Sequence, residues 1–90
     1  MAKFEHKDSV EVVDAHMLQG DNVTVISSWC RGLIVEEIDP FDNESRYPAL
    51  NVQCRGGVKR ASLGDYVIKH EDGSFDIRKT TDFLRHYQAA

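Results

Sequence analysis

From Leu63 onward the chain is punctuated so closely that few structures are open to it. Leu63-Gly64-Asp65 reads as a turn and Tyr66 to Lys69 as a strand. Glu71-Asp72-Gly73 then closes a hairpin onto Phe75 to Arg78, because Asp and Gly suit the backbone of tight turns. Thr80 or Thr81 can cap a last helix, on which Phe83, Leu84 and Tyr87 share a face by i, i+1, i+4 spacing. Gly64 is expected at positive φ, with Asp65 accepting backbone N–H bonds in the same turn.

The stretch before it is patterned as tightly. Ala49 to Arg55 alternates, with Leu50, Val52 and Cys54 on one face. Gly56-Gly57 signals a two-residue hairpin of type I′, which needs positive φ twice. That register sets Val52 opposite Ala61 and Leu50 opposite Leu63.

Upstream, Ser9 to Leu18 is rich in Val and reads as a first strand, broken at Gly20. Asp21 can cap a helix over 22–31, with Val23, Ile26 and Cys30, joined by Val25 and Trp29, as its apolar face. Trp29 is expected in the core, and Gly32 stands where a glycine would stop the helix. Leu33 to Ile38 is a second strand. Asp39 to Pro48 is an acidic loop with two prolines, expected to be the mobile part of the chain. The order β-α-β-β-β-β-β-α gives an α+β class: a small, mostly antiparallel sheet with two short helices, both on its apolar face.

Ninety residues suit a single domain, 1–90, that hides roughly 60–65% of its unfolded surface. The apolar fraction of 41% excludes a disordered chain. No apolar run approaches the ~18 residues of a membrane span, and Met1 to Asp8 holds no signal-peptide core. A soluble, cytoplasmic protein without membrane contact is expected. Cys30 and Cys54 are too few for a disulfide framework and are expected as buried small hydrophobes.

Charge divides the chain. Residues 1–45 carry ten acids against three bases, and 46–90 carry eight bases against five acids. The resulting −7 and +3 make up the net −4, which disfavours sequence-independent nucleic-acid binding. Arg55, Lys59, Arg60, Lys69, Arg78 and Lys79 fall in the C-terminal strands and could hold phosphate, or else be ordinary exposed sheet positions. Glu36, Glu37, Asp39, Asp42 and Glu44 form an acidic stretch, read as a solvated face suited to a basic partner.

Reactive chemistry is poorly represented. His6, His16, His70, His86, Cys30 and Cys54 show no paired ligand spacing, so no metal or cofactor is expected. A cysteine at a helix C-terminus has its thiol pKa raised rather than lowered, which makes Cys30 a poor nucleophile.

Taken as a series, these residues resemble a family of small, mostly uncharacterised proteins of tailed bacteriophages. The shared features are Lys3-Phe4 and Lys7; Val10 to Ala15; Gly20-Asp21-Asn22; and Trp29-Cys30-Arg31-Gly32. They continue through Leu50 to Val52, Gly57, Ala61 and Gly64-Asp65-Tyr66-Val67-Ile68-Lys69, and end with Gly73, Phe75, Phe83 and Tyr87. The family's usual Tyr-Pro-Cys-Lys-Pro-Asp-Ile-Phe segment is replaced here by Asp76-Ile77-Arg78-Lys79-Thr80-Thr81-Asp82-Phe83. The resemblance implies a viral origin and carries no reaction with it.

Two functions are expected from these features. The first is a non-enzymatic phage accessory protein that binds a host or defence protein, with Asp39, Asp42 and Glu44 at the contact. The alternative is an oligomer that holds a nucleotide or signalling metabolite at a subunit interface, with Arg55, Lys59, Arg60, Lys69 and Arg78 binding its phosphates. A domain this small has little room for an internal pocket of the usual ~300 Å3.

Overall fold

A computed structural model describes residues 3–90; Met1 and Ala2, the start of the N-terminal stretch read above, lie outside the described residues. The order is β1 (Lys3–His6), β2 (Val12–Met17), α1 (Val23–Cys30), β3 (Leu33–Ile38), β4 (Arg46–Cys54), β5 (Gly57–Ala61), β6 (Tyr66–Lys69), β7 (Phe75–Arg78), α2 (Thr80–His86) and β8 (Tyr87–Ala89). The α+β class, the antiparallel pairing and the two short helices are as the sequence predicts. The strands make two sheets rather than one, ordered β7-β6-β2-β1-β8 and β3-β4-β5. The terminal strands β1 and β8, which carry no clean alternation, pair with each other beside β2.

Alternation in β6 shows why the helices separate. Val67 and Ile68 are consecutive and both fully buried, so the larger sheet is covered on both faces. Ile68 joins Val13, Ala15, Phe83 and Tyr87 beneath α2. Val67 joins Leu18, Ile26, Cys30, Leu50, Val52 and Ala61, a core built by α1 and the smaller sheet. The two helices therefore pack on opposite faces of the larger sheet, not on one. Phe83 is the hub of the first core, stacked on Tyr66 at 4.1 Å and on Tyr87 at 4.9 Å, with Phe4 edge-on at 4.9 Å. Leu84, expected on the same face, is half-exposed, and Tyr87 has already left the helix for β8.

Helix α1 ends one residue earlier than a glycine stop implies. Arg31 takes the left-handed conformation at φ 56°, and the Gly32 N–H reaches the Ser27 carbonyl at 3.0 Å. Glycine is needed at 32 for space, since a Cβ there would lie 3.1 Å from Cys30 Sγ and 3.2 Å from the Asn51 carbonyl oxygen. At the other end, Asn22 occupies the cap position instead of Asp21, and Lys79, not a threonine, precedes α2. The Thr80 hydroxyl donates to the Gly64 carbonyl and so ties α2 to the turn before β6. In that turn Gly64 has φ 94°, and Asp65 accepts the Ser62 N–H at 2.9 Å, both as expected.

The β4–β5 register differs from expectation by two residues. Cys54 pairs with Gly57, Val52 with Lys59 and Leu50 with Ala61, so the turn is Arg55-Gly56. Only Gly57 has positive φ, which rules out the type I′ turn. A slip of two keeps every side chain on its face, and for that reason the alternation alone could not reveal it.

Candidate functional site: an acidic apolar arm

The stretch expected as a mobile loop is an ordered turn at the end of a long hairpin. β4 begins at Arg46, so Tyr47 and Pro48 belong to the strand, opposite Glu37 and Glu36. The connection is residues 39–45. Asp39 Oδ1 accepts the Phe41 N–H at 2.8 Å. Asp42 Oδ1 accepts the Glu44 and Ser45 N–H groups at 2.8 and 2.9 Å, and Oδ2 accepts the Ser45 hydroxyl at 2.6 Å. The Ser45 hydroxyl bond, with the two backbone bonds, holds the Asp42 carboxyl below the usual range. Asn43, at φ 56°, completes the turn, and asparagine tolerates that conformation well. Two of the expected contact residues, Asp39 and Asp42, thus shape the turn, while Glu44 is exposed.

What this turn presents is Phe41, 96% exposed, on a backbone pinned from both sides. An aromatic ring held fully in water on an ordered turn gains nothing for folding. Leu33, Ile34, Ile38 and Tyr47 are also exposed on the same hairpin. An open groove of about 670 Å3 runs along it, lined by Ile34, Val35, Glu36, Arg46, Tyr47 and Pro48. A smaller one of about 240 Å3 lies between Ile38, Pro40, Phe41 and Tyr47. Five acids (Glu36, Glu37, Asp39, Asp42, Glu44) stand here against one base, Arg46, which bonds Glu36 at 3.2 Å.

The basic residues have a different fate. Arg55 pairs with Asp72, and Lys59 Nζ lies 2.8 Å from Asp76 Oδ1. Arg78 bonds Asp82 at 2.8 Å and approaches Asp76 at 4.0 Å. Lys79 stands 4.0 Å from Asp65, Arg60 donates to the Asn51 side chain at 3.2 Å, and Lys69 lies 5.9 Å from the Phe75 ring centroid. Partial burial pushes the Asp76 carboxyl up, but the bond from Lys59, with Ile77 N–H and Arg78, outweighs it and the pKa falls. Arg55, Lys59, Arg78 and Lys79 are therefore matched by acids from the neighbouring turns, from β7 and from α2, and the C-terminal bases do not form an open cationic field.

Arg55 and His70 do border two adjoining clefts, of about 420 and 260 Å3, where the β4–β5 and β6–β7 hairpins meet. His70 Nδ1 lies 2.6 Å from Glu11 Oε1, a pairing across 59 residues that no local spacing announces. Among the described residues no group of three or more His, Cys, Asp and Glu is placed to hold a metal. Cys30 and Cys54 are buried and unbridged, and burial pushes both thiols up. No helix is long and apolar enough to cross a membrane among the described residues.

Comparison of the chain with protein-family models, with curated proteins and with solved structures found no match.

Proposed function

We propose that this chain is a small, non-enzymatic bacteriophage accessory protein that binds a host or defence protein through its acidic β3–β4 arm. The observation that carries the reading is Phe41: a fully exposed ring on a turn ordered by Asp39 and Asp42, continuous with exposed Ile38 and Ile34. Exposed aromatic and aliphatic anchors surrounded by charge are the composition of protein contact surfaces. The acids around them favour a partner with a basic surface and give the encounter a salt dependence. The sequence resemblance supplies the viral setting, and a bacterial cytoplasm is where such a partner would be met.

The metabolite-binding alternative has less support. Three of its five bases, Arg55, Lys59 and Arg78, already have carboxylate partners that a phosphate would have to displace. The test is capture of partners from bacterial lysate with the parent protein, Phe41→Ser, Ile38→Asp and Arg55→Ala/Lys59→Ala. The reading expects one partner, lost with either arm variant and kept with the basic pair changed. A partner kept by both arm variants would overturn it.

A further inference from the structure

We propose, resting on the arm reading above, that the partner contributes an extended segment that adds as a fourth strand to the free edge of β3. That segment carries two adjacent basic residues flanked by apolar, β-branched ones.

The edges of the smaller sheet are not equivalent. β5 lies at one edge, where it carries Lys59 and Arg60 and is tied to β7 through Lys59–Asp76. Lysine on an edge and cover by a neighbour are standard ways to prevent further pairing. On that same side, β4 outruns β5, whose pairing stops at Leu50. The overhang Arg46–Ala49 contains Pro48, which has no N–H to offer an incoming strand. The opposite edge, β3, has no lysine and, among the described residues, no covering strand; its charges are Glu36 and Glu37, which oppose a like strand but not a basic one. Its only strand neighbour among the described residues is β4, and it contains no lysine, proline or glycine.

The order Leu33-Ile34-Val35-Glu36-Glu37-Ile38 then specifies the guest. Ile34, Glu36 and Ile38 share one face, and Leu33, Val35 and Glu37 the other. Each face offers apolar surface and one carboxylate, and the two carboxylates are consecutive. A strand lying alongside meets them with one base on each face, which requires two bases in succession, and meets the rest with apolar side chains. Among the described residues no cation lies within ion-pair distance of Glu37, and Glu36 has only the exposed Arg46. A second copy of this chain is a poor guest. Its own β3 contains no base and would bring carboxylates towards carboxylates. Backbone pairing would supply affinity, and the flanking side chains and Phe41 would supply selectivity.

The probe is a capped peptide with two adjacent lysines flanked by valines, followed by fluorescence anisotropy and amide hydrogen exchange on the intact protein. Two control peptides carry glutamates for lysines, or N-methyl groups on alternate amides. The proposal expects binding that weakens with salt, slowed exchange in 34–38, and losses of about tenfold or more with either control. Glu36→Gln/Glu37→Gln should weaken the lysine peptide and spare the fold, since both side chains are on the surface. Binding that is lost in Ile38→Asp but indifferent to N-methylation would overturn strand addition while leaving the arm as the contact surface. Failure of the lysine peptide to bind, binding insensitive to Ile38→Asp, or a concentration-dependent dimer that itself protects 34–38 would each overturn the proposal. If the lysate partner also survives both Phe41→Ser and Ile38→Asp, the arm reading falls with it.

Discussion

Lys59 Nζ sits 2.8 Å from Asp76 Oδ1, and this pair joins the edge of the smaller sheet to the edge of the larger one. The two residues lie on strands that are not hydrogen-bonded to each other. The bond gives a base that reads as a ligand contact in the sequence a carboxylate partner within the fold. It also lowers the Asp76 pKa against the opposing pull of burial. A carboxyl depressed in the folded state contributes stability above its unfolded pKa of about 4, and loses it as pH falls through the folded value. Acid unfolding should therefore steepen below about pH 4, and Asp76→Asn should flatten that limb. Thermal melts of both proteins between neutral and acid pH check this.

Phe83 should be the costliest single truncation. Its ring is fully buried and stacks against two tyrosines. Phe83→Ala is expected to destabilise by about 3–5 kcal/mol, measured by urea unfolding. Leu84→Ala, at a half-exposed neighbour, should cost far less.

The sole tryptophan, Trp29, packs edge-on to His16 at 4.9 Å and to Phe75 at 5.4 Å. Burial lowers the His16 pKa, so the neutral imidazole is favoured in the fold. The stability this gives is present above the ordinary histidine pKa of about 6.5 and is lost as pH falls through the lower, folded value. Because imidazolium quenches indole, Trp29 emission should drop with a midpoint below 6.5, and His16→Gln should abolish the drop. A midpoint above 6.5 would contradict the burial.

Asp42 and Glu44 should separate in experiment although both read as contact acids. Asp42→Ala removes the acceptor of two backbone N–H groups and the Ser45 hydroxyl, and should speed amide exchange at 44 and 45. Glu44→Gln removes charge alone and should leave exchange unchanged.

Much of this fold is legible from local pattern. Gly64, the 70–74 turn and the alternation of 49–54 rest on backbone preference and period, and those are written residue by residue. The pairings that decide the site are not. Arg55 with Asp72, Lys59 with Asp76 and His70 with Glu11 are set by how two hairpins and the distant residue that precedes β2 meet. The order of the acidic turn is hidden in the sequence for a related reason. Asp39 and Asp42 read as charge in the sequence, yet their spacing also allows side-chain bonds to the backbone two and three residues on. The exposure of Phe41 is not legible in the sequence, because an aromatic residue between acids does not by itself declare it.

The most direct test of the arm as the contact surface is amide hydrogen exchange on the chain bound to its captured partner. Slowed exchange confined to residues 33–47 is the expected result. Slowed exchange across 55–60 and 70–76, with 33–47 unchanged, would place the contact at the basic cleft and contradict the account.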